Sequence, residues 1–171
     1  MVTVLWVASA IAVVTAAIRS RRHASAVRMG RLGVGFLFIV AGAAMNGWFL
    51  MRGDDYGEFA SGSYIPFVRD TWQSVVVPNH ELWIGMLIAF ELAIGVLSLA
   101  GARHTQLAYA LAIVFHVCLL SFGWGFYLWS IPMVVALTTL LAVERRTGPT
   151  HRAVTSPEPT ARALINVLPK T

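Results

Sequence analysis

Long apolar runs separated by short clusters of charge follow one another along the whole chain. Runs long enough to cross a hydrocarbon core of about 30 Å recur at roughly residues 2–18, 33–51, 82–100, 106–122 and 125–143. Between the second and third runs, the polar, Gly-rich segment from Arg52 gives way at Ile65-Pro66-Phe67 to a helical rhythm. There Ile65, Val68, Trp72, Val75 and Val76 share one side and Arg69, Asp70 and Gln73 the other. Pro66 suits the first turn of a helix, and Pro78-Asn79 ends it and offers a cap to the next span. The pattern predicts an all-α integral membrane helical bundle of five spans with a short amphipathic external helix. That helix either lies flat in the interface as an anchor or folds over the bundle as a lid.

Composition supports the same class. Of 171 residues, 57% are hydrophobic and only 12% charged, with a mean hydropathy of +0.70, which is more apolar surface than a soluble domain of this size can bury. Charge then sets a direction. Arg19, Arg21, Arg22, Arg28 and Arg31 follow the first run, Arg103 the third, and Arg145, Arg146, Arg152, Arg162 and Lys170 the fifth. Arg52 and Arg69 lie in the alternate segment, beside Asp54, Asp55, Glu58 and Asp70. The positive-inside rule therefore predicts an outside N-terminus and a cytoplasmic C-terminus. The net charge of +5 is met by anionic lipid headgroups, and no basic stripe interleaved with aromatics argues for nucleic acid.

The first run, Val2 to Ile18, has no basic residue before it and an Arg cluster after it, so it reads as a retained anchor rather than a cleaved signal. Residues 1–27 thus form an anchor helix with a basic loop, 28–144 a four-span domain, and 145–171 a basic tail rich in Pro and Thr that is expected to be disordered. Cys118 is the single cysteine, inside the fourth span, and reads as a buried small apolar residue; no disulfide or cysteine metal site is expected. No phosphate loop, nucleophile elbow or zinc-binding His-Glu pair stands at the spacing its chemistry needs.

Candidate chemistry lies in the polar residues within the spans. Glu91 sits in an otherwise uncharged stretch from Leu82 to Gly101, roughly 15 Å from its outer end on a rise of about 1.5 Å per residue. A mid-depth carboxyl is costly, so it is a functional-site candidate by default. On the same reckoning His116 is roughly 10 Å deep and Asn46 about 8–9 Å. Glu91, Gly95 and Ser98 share a stripe on the third span; Gly35, Gly42 and Asn46 share one on the second; and Tyr109, Ala112, His116 and Gly123 share one on the fourth. Glu91 with His116 would make a proton-handling pair able to serve a quinone or comparable lipophile. Asn46, Tyr109 and Trp124 are candidate ligand-binding residues beside it. The plain alternative treats all of these as interhelical glue, and the aromatic set Phe122, Trp124, Phe126, Tyr127 and Trp129 as an interfacial belt. Pro132 is expected to kink the fifth span.

Over roughly Arg28 to Glu144 the chain resembles the DoxX-like membrane proteins. The likeness rests on Arg31-Leu32-Gly33-Val34-Gly35-Phe36, Ile65-Pro66-Phe67, Val77-Pro78-Asn79 and Glu91-Leu92-Ala93-Ile94-Gly95. It implies a four-helix core in a bacterial-type inner (plasma) membrane and a link to thiosulfate:quinone oxidoreductase. The lone Cys118 argues against relatives that work through cysteine pairs. No flavin, haem or iron–sulfur motif is visible, so the expectation is no intrinsic cofactor, no metal, quinone as a ligand, and a membrane or soluble oxidoreductase partner supplying electrons. A non-enzymatic scaffold or lipophile binder is the alternative.

Overall fold

The computed structural model describes residues 2–147, and among these the chain is helical with no strand. The expectations for the tail beyond Thr147 lie outside the described residues. Helix α1 spans Val2–Ser20 and α2 Ala24–Phe36; α2 runs on through a π-helical segment, Leu37–Ala44, into α3, Met45–Met51. After the loop 52–65 come α4 (Pro66–Thr71), a π turn (Trp72–Val76), a 3-10 turn (Val77–Asn79) and α5 (His80–Leu99). Helix α6 covers Ala102–Leu119 and α7 Trp124–Thr147, with a 3-10 turn, Leu120–Phe122, between them.

Four of these paths are long and apolar enough to cross a membrane: Ala24–Met51, Pro66–Leu99, Arg103–Phe122 and Trp124–Arg146. Helix α1, apolar over Val4–Ser20, is shorter and packs along α2 and α7. Each helical path touches the next in chain order, and α1 closes onto α7, giving a ring around a shared core of Val34, Phe38, Ile94, Tyr109, Met133 and Leu137. The outward faces carry Leu128 at 81% exposure, Val135 at 62% and Val114 at 58%. Such a surface suits lipid, where only the backbone must be satisfied internally, and would be an aggregation liability in water.

Several predicted boundaries move. Helix α2 begins at Ala24, ahead of the apolar run predicted from residue 33, so Arg28 and Arg31 stand on it. Cys118, expected inside, is exposed on the outer side of α6. The amphipathic segment leads straight into α5 through two irregular turns, and Trp72 turns inward while Ile65, Phe67 and Val75 remain exposed. Pro132 sits within α7, where it removes the N–H that the Leu128 carbonyl would accept in a regular helix.

The two ends of the ring differ. At one, here the arginine end, Arg31 donates from Nε and Nη2 to the two oxygens of Glu144, at 2.6 and 2.8 Å. Ser98 donates to the Arg31 carbonyl and Thr105 to the Ser98 carbonyl, tying α2, α5 and α6 together. At the other, the loop end, residues 52–65 fold against the α6–α7 turn. Gly62 lies so close to Gly123, at φ +112, that a Cβ there would strike the Gly62 carbonyl.

Candidate functional site

Glu91 is 4% exposed, on the inward face of α5. The side chain of Asn46 donates from Nδ2 to its Oε2 at 2.8 Å. Gly42, one turn earlier, lets the backbone approach: a Cβ there would lie 2.7 Å from Oε1. The facing helix is thus shaped around the carboxyl, with a hydrogen-bond donor on one side and an absent side chain on the other.

The π-helical run Leu37–Ala44 ends just before Asn46 and sets its rotational position. Extended π segments are uncommon and recur at functional sites. This one is held from outside itself: the Trp6 indole N–H of α1 donates to the Ala41 carbonyl at 2.6 Å, a non-local donor for a backbone whose own hydrogen-bond register has shifted.

Tyr56 closes the loop-end side. Its hydroxyl donates to the Asn46 carbonyl at 2.9 Å, and its own carbonyl accepts from Trp72 Nε1 at 2.8 Å. It holds φ 58, a left-handed conformation uncommon for an aromatic residue. Burial, followed by the nearby charges of Asp54 and Glu91, pushes the phenol up to about 12, so it remains a donor at ordinary pH.

Among the described residues, none of the other predicted site residues is hydrogen-bonded to Glu91. His116 is buried, and its Nδ1 lies 2.8 Å from the Ala112 carbonyl, so that nitrogen carries the proton. Its ring stands edge-on to Phe38 and Phe115, and among the described residues no hydrogen bond joins it to Glu91. Tyr109 is fully buried, with a hydroxyl lacking a hydrogen-bond partner among the described residues; its charged neighbours are Glu144 and Arg31, at the arginine end. Trp124 is 68% exposed and packs edge-on against Tyr64 and Tyr127, at the surface. Asn46 is therefore the one predicted residue brought into hydrogen-bonding contact with Glu91. The belt aromatics divide as well: Phe122 and Phe126 pack with Phe59 and Trp72 in a half-buried cluster, while Trp129 meets Trp6.

Two features escaped sequence reasoning. Tyr56 stood in a loop read only as polar and Gly-rich, and no pattern marks a side chain that folds back over a helix end. The Arg31–Glu144 pair was hidden because Arg31 was counted with the topological arginines, although a lone acid directly before Arg145-Arg146 was a usable signal. An apolar groove of about 340 Å³ between α1 and α7, lined by Val7, Ile11, Val14, Leu128, Pro132 and Met133, includes no residue of α5 and so is separate from Glu91. Among the described residues no cluster of His, Cys, Asp and Glu has a metal-binding arrangement.

The ring of helices and its paired intramembrane carboxyl define the class as a membrane-embedded helical bundle. No family model, curated protein or solved structure matches the chain.

Proposed function

We propose that this is a five-span, DoxX-like protein of the inner (plasma) membrane, a redox-associated subunit in which Glu91 and Asn46 bind the polar head of a quinone or similar lipophile. The observation that carries the reading is the Asn46–Glu91 hydrogen bond within an apolar ring. An amide donor beside a carboxyl that can give or take a proton complements a quinone carbonyl and the hydroxyl it becomes. Electrons come from a membrane or soluble oxidoreductase partner, and Glu91 passes the accompanying proton.

The ends of the ring support the orientation. The arginine end carries Arg19, Arg21, Arg22, Arg28, Arg31, Arg103, Arg145 and Arg146 against Glu144, whereas the loop end carries Asp54, Asp55, Glu58, Asp70 and Glu81 against Arg52 and Arg69. The arginine end is accordingly cytoplasmic and the loop end external, with α1 crossing as a fifth span. At 19 residues and about 1.5 Å per residue, α1 approaches the thickness of the hydrocarbon core.

A second reading has its own support. The close packing of Gly42 on the carboxyl, and the return of His116 to its own helix, are what a scaffold would use to fasten helices. Purification in mild detergent, followed by mass spectrometry of bound quinones, lipids and proteins, separates the two. The redox reading expects quinone in the wild type and its loss in Glu91→Gln and Asn46→Ala. Quinone absent from the wild type, or equal in all three proteins while both variants melt earlier, favours the scaffold.

A further inference from the structure

We propose that residues 52–65 form a strap that shuts the loop end of the ring over Glu91, with Tyr56 as its latch and Gly53 as its hinge. This deepens the reading of Glu91 as a proton-handling site by assigning how water reaches it.

The strap is fastened unevenly. Its second half is anchored: Ala60 and Ser63 are 1% and 2% exposed, and Ser63 donates to the Ser121 carbonyl at 2.6 Å. Phe59 stacks on Trp72 at 5.0 Å between ring centroids and packs against Phe122 and Phe126. Rings packed on several sides do not let go for the loss of one contact. In the first half, residues 52–58, none is buried. Asp54 and Asp55 are exposed, and their carboxylates accept from the nearby backbone N–H groups of Tyr56 and Gly57.

Beyond the backbone cap at the end of α3, where the Gly53 and Asp54 N–H groups donate to the Leu50 and Phe49 carbonyls at 3.0 and 3.2 Å, that first half is bound by a small set of side-chain hydrogen bonds. Tyr56 donates to the Asn46 carbonyl, Trp72 donates to the Tyr56 carbonyl, and Gln73 donates to the Gly57 carbonyl at 2.6 Å. Each has one partner on the strap and one on a helical element. Tyr56 keeps its left-handed backbone only while its surroundings hold it there, the condition expected of a segment with a second conformation in reach. Gly53 lies at φ +79 just beyond α3, where an added Cβ would meet nothing within 4 Å, and a swing there has to part the Asp54 N–H from the Phe49 carbonyl, at 3.2 Å.

Swinging about Gly53 lifts the Tyr56 ring from Asn46, the residue whose side chain holds Glu91. A closed strap keeps water from the carboxyl while a lipophile approaches between helices; an open strap admits protons from the loop-end aqueous phase. Proton entry and ligand entry then use different doors, which prevents the site from exchanging protons freely while it is occupied.

Access to Glu91 is measured directly with two carbodiimides on the full chain in lipid nanodiscs at mildly acidic pH, with modification of the Glu91 peptide read by mass spectrometry. The apolar dicyclohexylcarbodiimide reports that the carboxyl is reactive, and a water-soluble carbodiimide with an amine nucleophile reports aqueous access. Tyr56→Phe and Gln73→Ala are expected to raise aqueous labelling by about five- to tenfold, the population shift carried by one net hydrogen bond, and to leave apolar labelling unchanged. Phe59→Ala, which removes the anchor, should exceed both. Aqueous labelling of the wild type already equal to that of Tyr56→Phe overturns the strap, as does Gln73→Ala with no increase. Quinone content measured on the same samples reports the site reading separately: wild-type protein without quinone but with latch-dependent labelling refutes the ligand and keeps the strap.

Discussion

Removing Glu144 tests the energetic logic of the ring at its arginine end. The Glu144 side chain is 3% exposed and that of Arg31 31%, and their two contacts have the bidentate form that favours Arg over Lys. Breaking a buried pair by deleting one partner costs about 3–5 kcal/mol, because a charge is left behind without compensation. Since Arg31 keeps partial access to water, screening reduces this to about 2–4 kcal/mol for Glu144→Ala. The double variant Arg31→Met/Glu144→Leu, which removes both charges and keeps apolar volume, should regain most of the loss. Equilibrium unfolding in mixed micelles with increasing dodecyl sulfate measures all three proteins under one condition. If Glu144→Ala loses less than about 0.5 kcal/mol, the pair behaves as an exposed surface ion pair and its structural role is refuted. If the double variant is as unstable as the single one, the cost comes from lost packing rather than an uncompensated charge.

Gly42→Ala puts a methyl against Oε1 of Glu91 and should cost about 1–3 kcal/mol while depleting bound quinone; Glu91→Asp, one methylene shorter, should recover part of that stability in the same background. The Tyr56 phenol is raised from 10.0 to about 12, so the folded protein holds this proton more tightly than the unfolded chain. Its contribution is therefore intact below about pH 10 and lost as pH rises towards 12; a thermal-shift series over that range should show a decline that is smaller in Tyr56→Phe. Val135, midway along α7 and 62% exposed, faces lipid, so Val135→Cys in a Cys118→Ser background should react with a membrane-permeant maleimide and not with a charged one. Glu58→Cys in the same background, on the exposed loop, should react with both, and equal reaction of the two positions with the charged reagent would overturn the membrane assignment.

Much of the ring was legible because membrane helices must satisfy a simple demand, unbroken apolar length, and that demand is written in composition and spacing. The stripes followed for the same reason: Glu91, Gly95 and Ser98 are all buried, as are Tyr109, Ala112 and His116, since a period of 3.6 residues fixes which positions share a face. What periodicity does not determine is the mutual rotation and depth of neighbouring helices. Tyr109 and Glu91 both point inward, yet Tyr109 has the arginine-end charges for neighbours, and His116 finds its partner on its own helix. Trp124 lay close in sequence to half-buried Phe122 and Phe126, and the turn at Gly123, of positive φ, sends it outward instead. Tyr56 depends on a single backbone conformation in a loop, the least patterned information in the chain.

The π-helical run Leu37–Ala44 has a consequence for how this helix can change over time. In a regular α-helix one added residue turns everything beyond it by about 100°. A π segment absorbs such an addition locally, so the positions before and after it need not share one phase. Arg31 can thus stay aligned with Glu144 while Asn46 is aligned with Glu91, two registers that a single unbroken α-helix would have to reconcile. Deleting one residue between 37 and 44 would leave a well-formed span and both polar partners in the sequence, yet let only one of the two pairs form. A homologue one residue shorter here would therefore need a different partner at one of its two ends.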